Sequence, residues 1–168
     1  MKSKEEILQE RAKKTAGKKT NNQIVHAQNM QVLQFSLYPE VFAIPDTYIT
    51  EVFSLTEITS LPGTPPYVMG VVNRRSKVLC IINLKHVLNI KSVGLTELNK
   101  IICLKKGTTE FGIVTDTLNG IIQIDRAKFN KDTLLNNNEL NLIAGIMPDG
   151  MIVLNDEVLL NNKILVVE

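Results

Sequence analysis

The pattern of apolar and polar positions divides the chain near Met30. Before that point apolar residues are thin. Ser3 with Glu6 three positions later forms a capping box, which predicts a short helix through about Thr15. Its stripe is Ile7, Leu8, Arg11, Ala12 and Thr15. Gly17 through Asn22 ends it, and the polar run to Asn29 reads as linker. A helix this short is marginal unless it docks on something.

From Met30 the period changes to two, the repeat of a strand with one buried face. Val32, Phe35 and Leu37 start one strand, Pro39-Glu40 turns it, and Phe42-Ala43-Ile44 returns. Ile49, Val52, Phe53 and Leu55 form a second patch, followed by the turn-rich Leu61-Pro62-Gly63-Thr64-Pro65-Pro66. Gly70-Val71-Val72 and Val78–Ile82 bracket the polar turn Arg74-Arg75-Ser76-Lys77, and Leu84–Leu88 is a candidate short helix. The second half repeats this order. Ile101–Leu104, a polar turn and Phe111-Gly112-Ile113 match the first strand pair, with an F-x-I…D-T pattern shared by Phe42–Thr47 and Phe111–Thr117. Gly145-Ile146-Met147, the turn Pro148-Asp149-Gly150, Met151–Leu154, Asn155 and Val158-Leu159-Leu160 parallel the run from Gly70 to Leu88. The matches recur at roughly 70 residues, which argues for two related lobes of about five short strands each. Such spacing favours small barrels over an open parallel sheet. No alternating helices support a dinucleotide-binding fold.

Composition narrows the functional classes. Residues 1–19 hold seven basic and three acidic side chains, whereas the whole chain is only +2, so the body is mildly acidic. The basic arm is either a solvated tail or a contact for phosphate or anionic lipid. Cys80 and Cys103 lie inside apolar runs and read as core thiols, and the lack of a secretory apolar segment points to a reduced, cytoplasmic setting. The apolar runs are far shorter than the ~20 residues a membrane-spanning helix needs. His26 and His86 are the only histidines, and no zinc spacing, nucleophile elbow or phosphate-binding glycine loop occurs. Neither an enzyme, a metal nor a cofactor is expected. Asp46 and Asp116 occupy matching places and read as turn or strand-end residues; Asp156-Glu157 opens a short helix. A small β-barrel that binds RNA or another polyanion through the arm is the alternative function. The aromatics sit in apolar runs rather than between basic residues, which disfavours a nucleic-acid face.

Leu61–Leu84 resembles the CheW-type coupling proteins of bacterial and archaeal chemotaxis. That family carries P-x-x-x-x-G-V-x-N-x-R-G followed by a strand ending P-[IV]-[IV]-D-L. Here Pro65 through Ser76 and Cys80-Ile81-Ile82-Asn83-Leu84 stand in those places. Phe42-Ala43-Ile44-Pro45 and Glu51-Val52 are similar to upstream elements, and Phe111 through Asp116 to a downstream strand. The resemblance spans roughly Gln31 to Leu160. It implies a mainly β fold of two linked SH3-like five-stranded barrel lobes, residues 30–168, behind the helical arm and linker of residues 1–29. It also implies a non-catalytic cytoplasmic adaptor that joins chemoreceptor tips to a CheA-type histidine kinase in receptor arrays.

Carried over residue by residue, the resemblance assigns a receptor-facing groove to Ile49, Glu51, Gly70, Asn73 and Arg75. It singles out no kinase-contact residue. Arg75 has two readings: a guanidinium offered to a receptor carboxylate or backbone, or a brace paired with Glu51 or Asp116. Asn73 also reads as a turn residue, and Gly70 as a site of tight packing or positive φ. Four departures cluster in this segment. Ser76 replaces Gly, Cys80 replaces Pro, Asn83 replaces Asp, and Arg74 stands where an apolar residue is usual.

Overall fold

The fold is that of a computed structural model, which describes residues 29–92, 94–130 and 141–162. The predicted N-terminal helix, His26 and all of the linker but Asn29 lie outside the described residues, and Asn29 starts a strand rather than ending a linker. Ten strands run in chain order: β1 (Asn29–Leu37), β2 (Glu40–Pro45), β3 (Ile49–Ser54), β4 (Val68–Arg74), β5 (Lys77–Ile82), β6 (Lys100–Lys106), β7 (Thr109–Thr115), β8 (Thr117–Asp125), β9 (Ile143–Ile146) and β10 (Ile152–Leu154). Two short helices follow β5 and β10, α1 (Leu84–Val87) and α2 (Asp156–Asn161). Both begin on an asparagine whose side-chain oxygen caps the first turn: Asn83 accepts from the Lys85 N–H and Asn155 from the Val158 N–H. Asn83 therefore keeps the capping function without the charge an Asp would bring.

The fold is mainly β, two five-stranded sheets ordered β8-β1-β2-β10-β9 and β3-β6-β7-β5-β4. Neither sheet is a sequence half. Each half contributes its first hairpin to one lobe and its last three strands to the other. The exchange is quasi-symmetric. In one lobe β10 runs parallel to β2, with Ile152 opposite Phe42; in the other β5 runs parallel to β7, with Cys80 opposite Phe111. The chain crosses between lobes at Asp46–Tyr48, a 3₁₀ turn, and again at Asp116.

This exchange explains why β2, β6 and β7 read as continuous apolar runs, since both of their faces are buried. Phe42, Ile44, Ile102, Leu104, Phe111 and Ile113 point to the largest apolar cluster, shared between the lobes and completed by Leu84, Leu159 and Leu160. Their alternates Ala43, Ile101, Cys103 and Val114 fill the two barrel interiors. Fully burying each such Ile, Leu or Phe is worth about 1.5–3 kcal/mol, so the shared cluster contributes to holding the two lobes together.

Each barrel closes where the chain beyond an edge strand pairs with the opposite edge. Thr59 exchanges two backbone hydrogen bonds with Val71 at 2.8 and 2.9 Å, and Asn130 does the same with Ile146 at 2.9 and 3.1 Å. A glycine precedes each closure partner. A Cβ on Gly70, whose φ is +139°, would collide with the Thr59 carbonyl, and a Cβ on Gly145 would lie 2.9 Å from the Phe129 Cβ. The repeated glycine visible in the sequence is thus the requirement for close crossing at both closures.

Candidate functional site

Glu51 on β3 and the tip of the β4–β5 hairpin form the polar centre of the proposed groove. Both flank the same closed barrel, since β3 and β4 are its two edges. Glu51 Oε2 lies 3.3 Å from an Arg75 terminal nitrogen, and Glu51 Oε1 lies 3.4 Å from Arg74 Nε. The Arg74 guanidinium also covers the Phe53 ring at 4.6 Å, a cation–π contact above the barrel interior. One carboxylate therefore serves two guanidiniums. The bracing reading of Arg75 holds as far as Glu51 is concerned. Even so, the Arg75 side chain is 75% exposed and spends one terminal nitrogen on that contact.

The hairpin turn explains how Arg75 is aimed outward. Arg75 and Ser76 have φ of +49° and +63°, and positive φ at both central residues is the signature of the type I′ turn that two-residue hairpins prefer. Arg74 faces Lys77 across it. Ser76 adopts the left-handed conformation that a glycine would take at less cost, roughly 1 kcal/mol. The replacement of Gly thus leaves the turn in place.

The other carried-over residues do not all join this centre. Ile49 packs against the inter-lobe cluster, on the far side of an irregularity in the β3–β6 register between Ile49 and Glu51. Gly70 is buried beneath Thr59, so its part is backbone packing. Asn73 is exposed within β4, opposite Val78, and is not a turn residue. Cys80 lies where β4 and β7 flank β5, a position in which the N–H that Pro lacks has strand neighbours on both sides.

Sequence reasoning missed a polar hub at the second crossover. Asp116 accepts from Lys85 Nζ at 2.6 Å to Oδ2, from the Tyr38 N–H at 2.7 Å and from Asn99 Nδ2 at 3.4 Å. Lys85 is only 4% exposed. The strand-end reading of Asp116 was right in place, but nothing in the sequence linked Lys85 or Asn99 to it. Asp46, its sequence counterpart, is exposed. At the first crossover the corresponding contacts are open: Tyr48 Oη donates to Glu157 Oε1 at 3.2 Å, and Lys106 sits over the Tyr48 ring at 5.1 Å.

Among the described residues no group of three or more His, Cys, Asp or Glu side chains is placed to hold a metal, and no helix is long and apolar enough to cross a membrane. Burial pushes the Cys103 thiol up to about 12, with Glu51 and Glu110 adding to the effect and Arg74 opposing it. Cys80 is raised by burial as well. Neither is a poised nucleophile.

A family model described as CheW-like domain matches residues 31–163. A chemotaxis protein CheW from Bacillus subtilis is 26% identical over 98 residues, covering 58% of this chain and 63% of that protein. A chemotaxis protein CheW from Helicobacter pylori is 27% identical over 125 residues, covering 73% and 76%. The aligned stretch is thus a little under two thirds of the Bacillus protein. The fold is similar to the crystal structure of scaffolding protein TtCheW from Thermoanaerobacter tengcongensis, with a TM-score of 0.67 at 24% identity over 75% of this chain and 88% of that one. With the match running from β1 through α2 and taking in both exchanged sheets, the chain belongs to the CheW-like domain family.

Proposed function

We propose that this chain is a non-catalytic adaptor of chemotaxis signalling, coupling the cytoplasmic tips of chemoreceptors to a CheA-type histidine kinase in cytoplasmic or membrane-associated arrays. The observation that carries the reading is the family match over residues 31–163, joined to relatives named chemotaxis protein CheW and to a fold shared with a protein described as scaffolding. The polar chemistry fits binding rather than turnover. The Lys85–Asp116 pair braces a crossover and the Arg75–Glu51 pair a hairpin surface, and burial raises both thiols.

Within this reading the receptor-facing surface comprises Ile49, Glu51, Asn73 and Arg75, with Gly70 shaping the backbone beneath it. Arg75 keeps most of its donors for a partner carboxylate or backbone carbonyl, which a planar guanidinium binds in a bidentate manner. A pull-down of purified chain with a cognate receptor tip and kinase tests this. Capture of both is expected, with receptor capture weakened by Arg75→Ala. Failure of both to bind would refute it, as would polyanion binding abolished by deletion of residues 1–22.

A further inference from the structure

We infer that residues 88–99, the linker between the two halves of the chain, form a hinge through which two copies exchange halves, and that the exposed linkers of the two copies pair antiparallel to seal the dimer. The inference stands apart from the adaptor reading. Among the described residues, every ladder other than the β1–β2, β4–β5, β6–β7 and β9–β10 hairpins joins one half to the other: β1 to β8, β2 to β10, β3 to β6 and β5 to β7. The Lys85–Asp116 and Tyr48–Glu157 contacts do so as well. Residues 88–99 are the covalent link between the halves, running from α1 to β6. Either half can therefore take its complement from a second copy with all of these contacts intact, and only the hinge changes conformation. The monomer is favoured by the effective concentration that a short tether provides, on the order of millimolar.

The hinge carries features that a second copy would use. It is anchored at its ends, where Leu88 and Ile90 pack on the shared cluster and the Asn99 side chain donates to the Thr115 carbonyl. Between these anchors every described residue from Lys91 to Leu98 is exposed. Leu95 and Leu98 are 49% and 70% exposed, apolar surface on a segment whose other described residues are polar or glycine. The sequence about Gly94 is complementary to its own reverse. An antiparallel pair centred there sets Lys91 against Glu97 of the second copy, and Ile90 against Leu98 of the second copy. The two-fold axis repeats each contact. A Cβ on Gly94 would meet nothing within 4 Å, so the second linker has room to approach. The dimer carries every surface of the monomer twice.

The test uses the full-length chain with Ser54→Cys and Lys100→Cys. These positions face each other across β3 and β6, one in each half, so their disulfide reports which copy supplied the second half. The chain is unfolded in urea with reductant, refolded at about 10 µM and at about 1 mM, below and at the effective concentration of the tether, and then oxidised. The dimer fraction measured by light scattering is expected to rise at least about tenfold between the two conditions, and the dimer should stay covalent on a non-reducing denaturing gel. Without the cysteine pair, Glu97→Lys and Lys91→Glu should each weaken dimerisation about threefold to tenfold, since symmetry removes two exposed charge pairs at once. The double variant Lys91→Glu/Glu97→Lys should restore it. Monomer at both concentrations, a dimer that runs as a single chain on the gel, or dimerisation indifferent to Glu97→Lys would overturn the inference.

Discussion

Removing the Asp116 carboxylate tests how the two lobes are tied where the chain crosses between them. Asp116→Ala deletes three acceptor contacts at once, from Lys85 Nζ, the Tyr38 N–H and Asn99 Nδ2. The dominant cost is electrostatic. Lys85 is 4% exposed, and its ammonium would be left without its carboxylate. Breaking a buried ion pair by deleting one partner costs about 3–5 kcal/mol. Asp116 itself is 17% exposed, so water reaches the vacated space and the lower end, about 3 kcal/mol, is expected. For a chain of this size that lowers Tm by roughly 6–12 °C. Lys85→Met should cost less, about 1–2 kcal/mol, because the remaining carboxylate keeps two donors and some solvent. The double variant Asp116→Ala/Lys85→Met should be more stable than Asp116→Ala alone, since it no longer buries a lone cation. Urea unfolding followed by circular dichroism gives all four corners of the cycle. An Asp116→Ala variant within about 1 kcal/mol of the parent, or a double variant no better than Asp116→Ala, would refute the reasoning.

Three other outcomes follow from the geometry. Gly70→Ala sets a Cβ against the Thr59 carbonyl at a φ of +139°; backbone strain and loss of the Thr59–Val71 pair should cost about 3–5 kcal/mol, visible as faster amide exchange at Thr59 and Val71 than in the parent. Cys80 and Cys103, both raised by burial, should resist iodoacetamide at pH 7 in the folded chain and react fully in urea; rapid labelling of the native protein would contradict their core placement. Desolvation raises the Asp156 carboxyl, with Glu157 adding to it against opposing backbone hydrogen bonds and Arg126. The ionised form is therefore disfavoured by folding, and stability is lost as pH rises from the unfolded pKa through the folded one. Asp156→Asn, which keeps an oxygen for the Glu157 N–H, should raise Tm at pH 7. That gain should disappear as pH falls below the unfolded value, and a gain independent of pH would exclude the charge as its cause.

Much of this fold was legible because its strands obey simple patterning. The two hairpins, the Arg75-Ser76 turn and both short helices lie where the period and turn residues put them. The repeat was also real, but its meaning was not local. The exchange of hairpins between lobes depends on Phe42 meeting Ile152 and Phe111 meeting Cys80, contacts between distant segments that no window of sequence contains. Strand β8 escaped notice for a different reason. It is an edge strand whose Asn119-Gly120 pair reads as a turn, and its Ile121 is exposed rather than buried. The site was half visible. The Glu51–Arg75 pairing was one of two alternatives, whereas the sharing of Glu51 with Arg74, and the Lys85–Asp116 hub, required β3 and β4 to meet by barrel closure and β7 to cross beside α1.

The most direct test of the adaptor reading is reconstitution. Receptor-bearing vesicles, a CheA-type kinase and this chain are combined, and kinase autophosphorylation is followed with each component omitted in turn. The account predicts that kinase activity rises well above that of kinase alone only when receptor and this chain are both present, with the chain co-sedimenting in the assembly. Kinase activity unchanged by the chain, with the chain left in the supernatant, would contradict it.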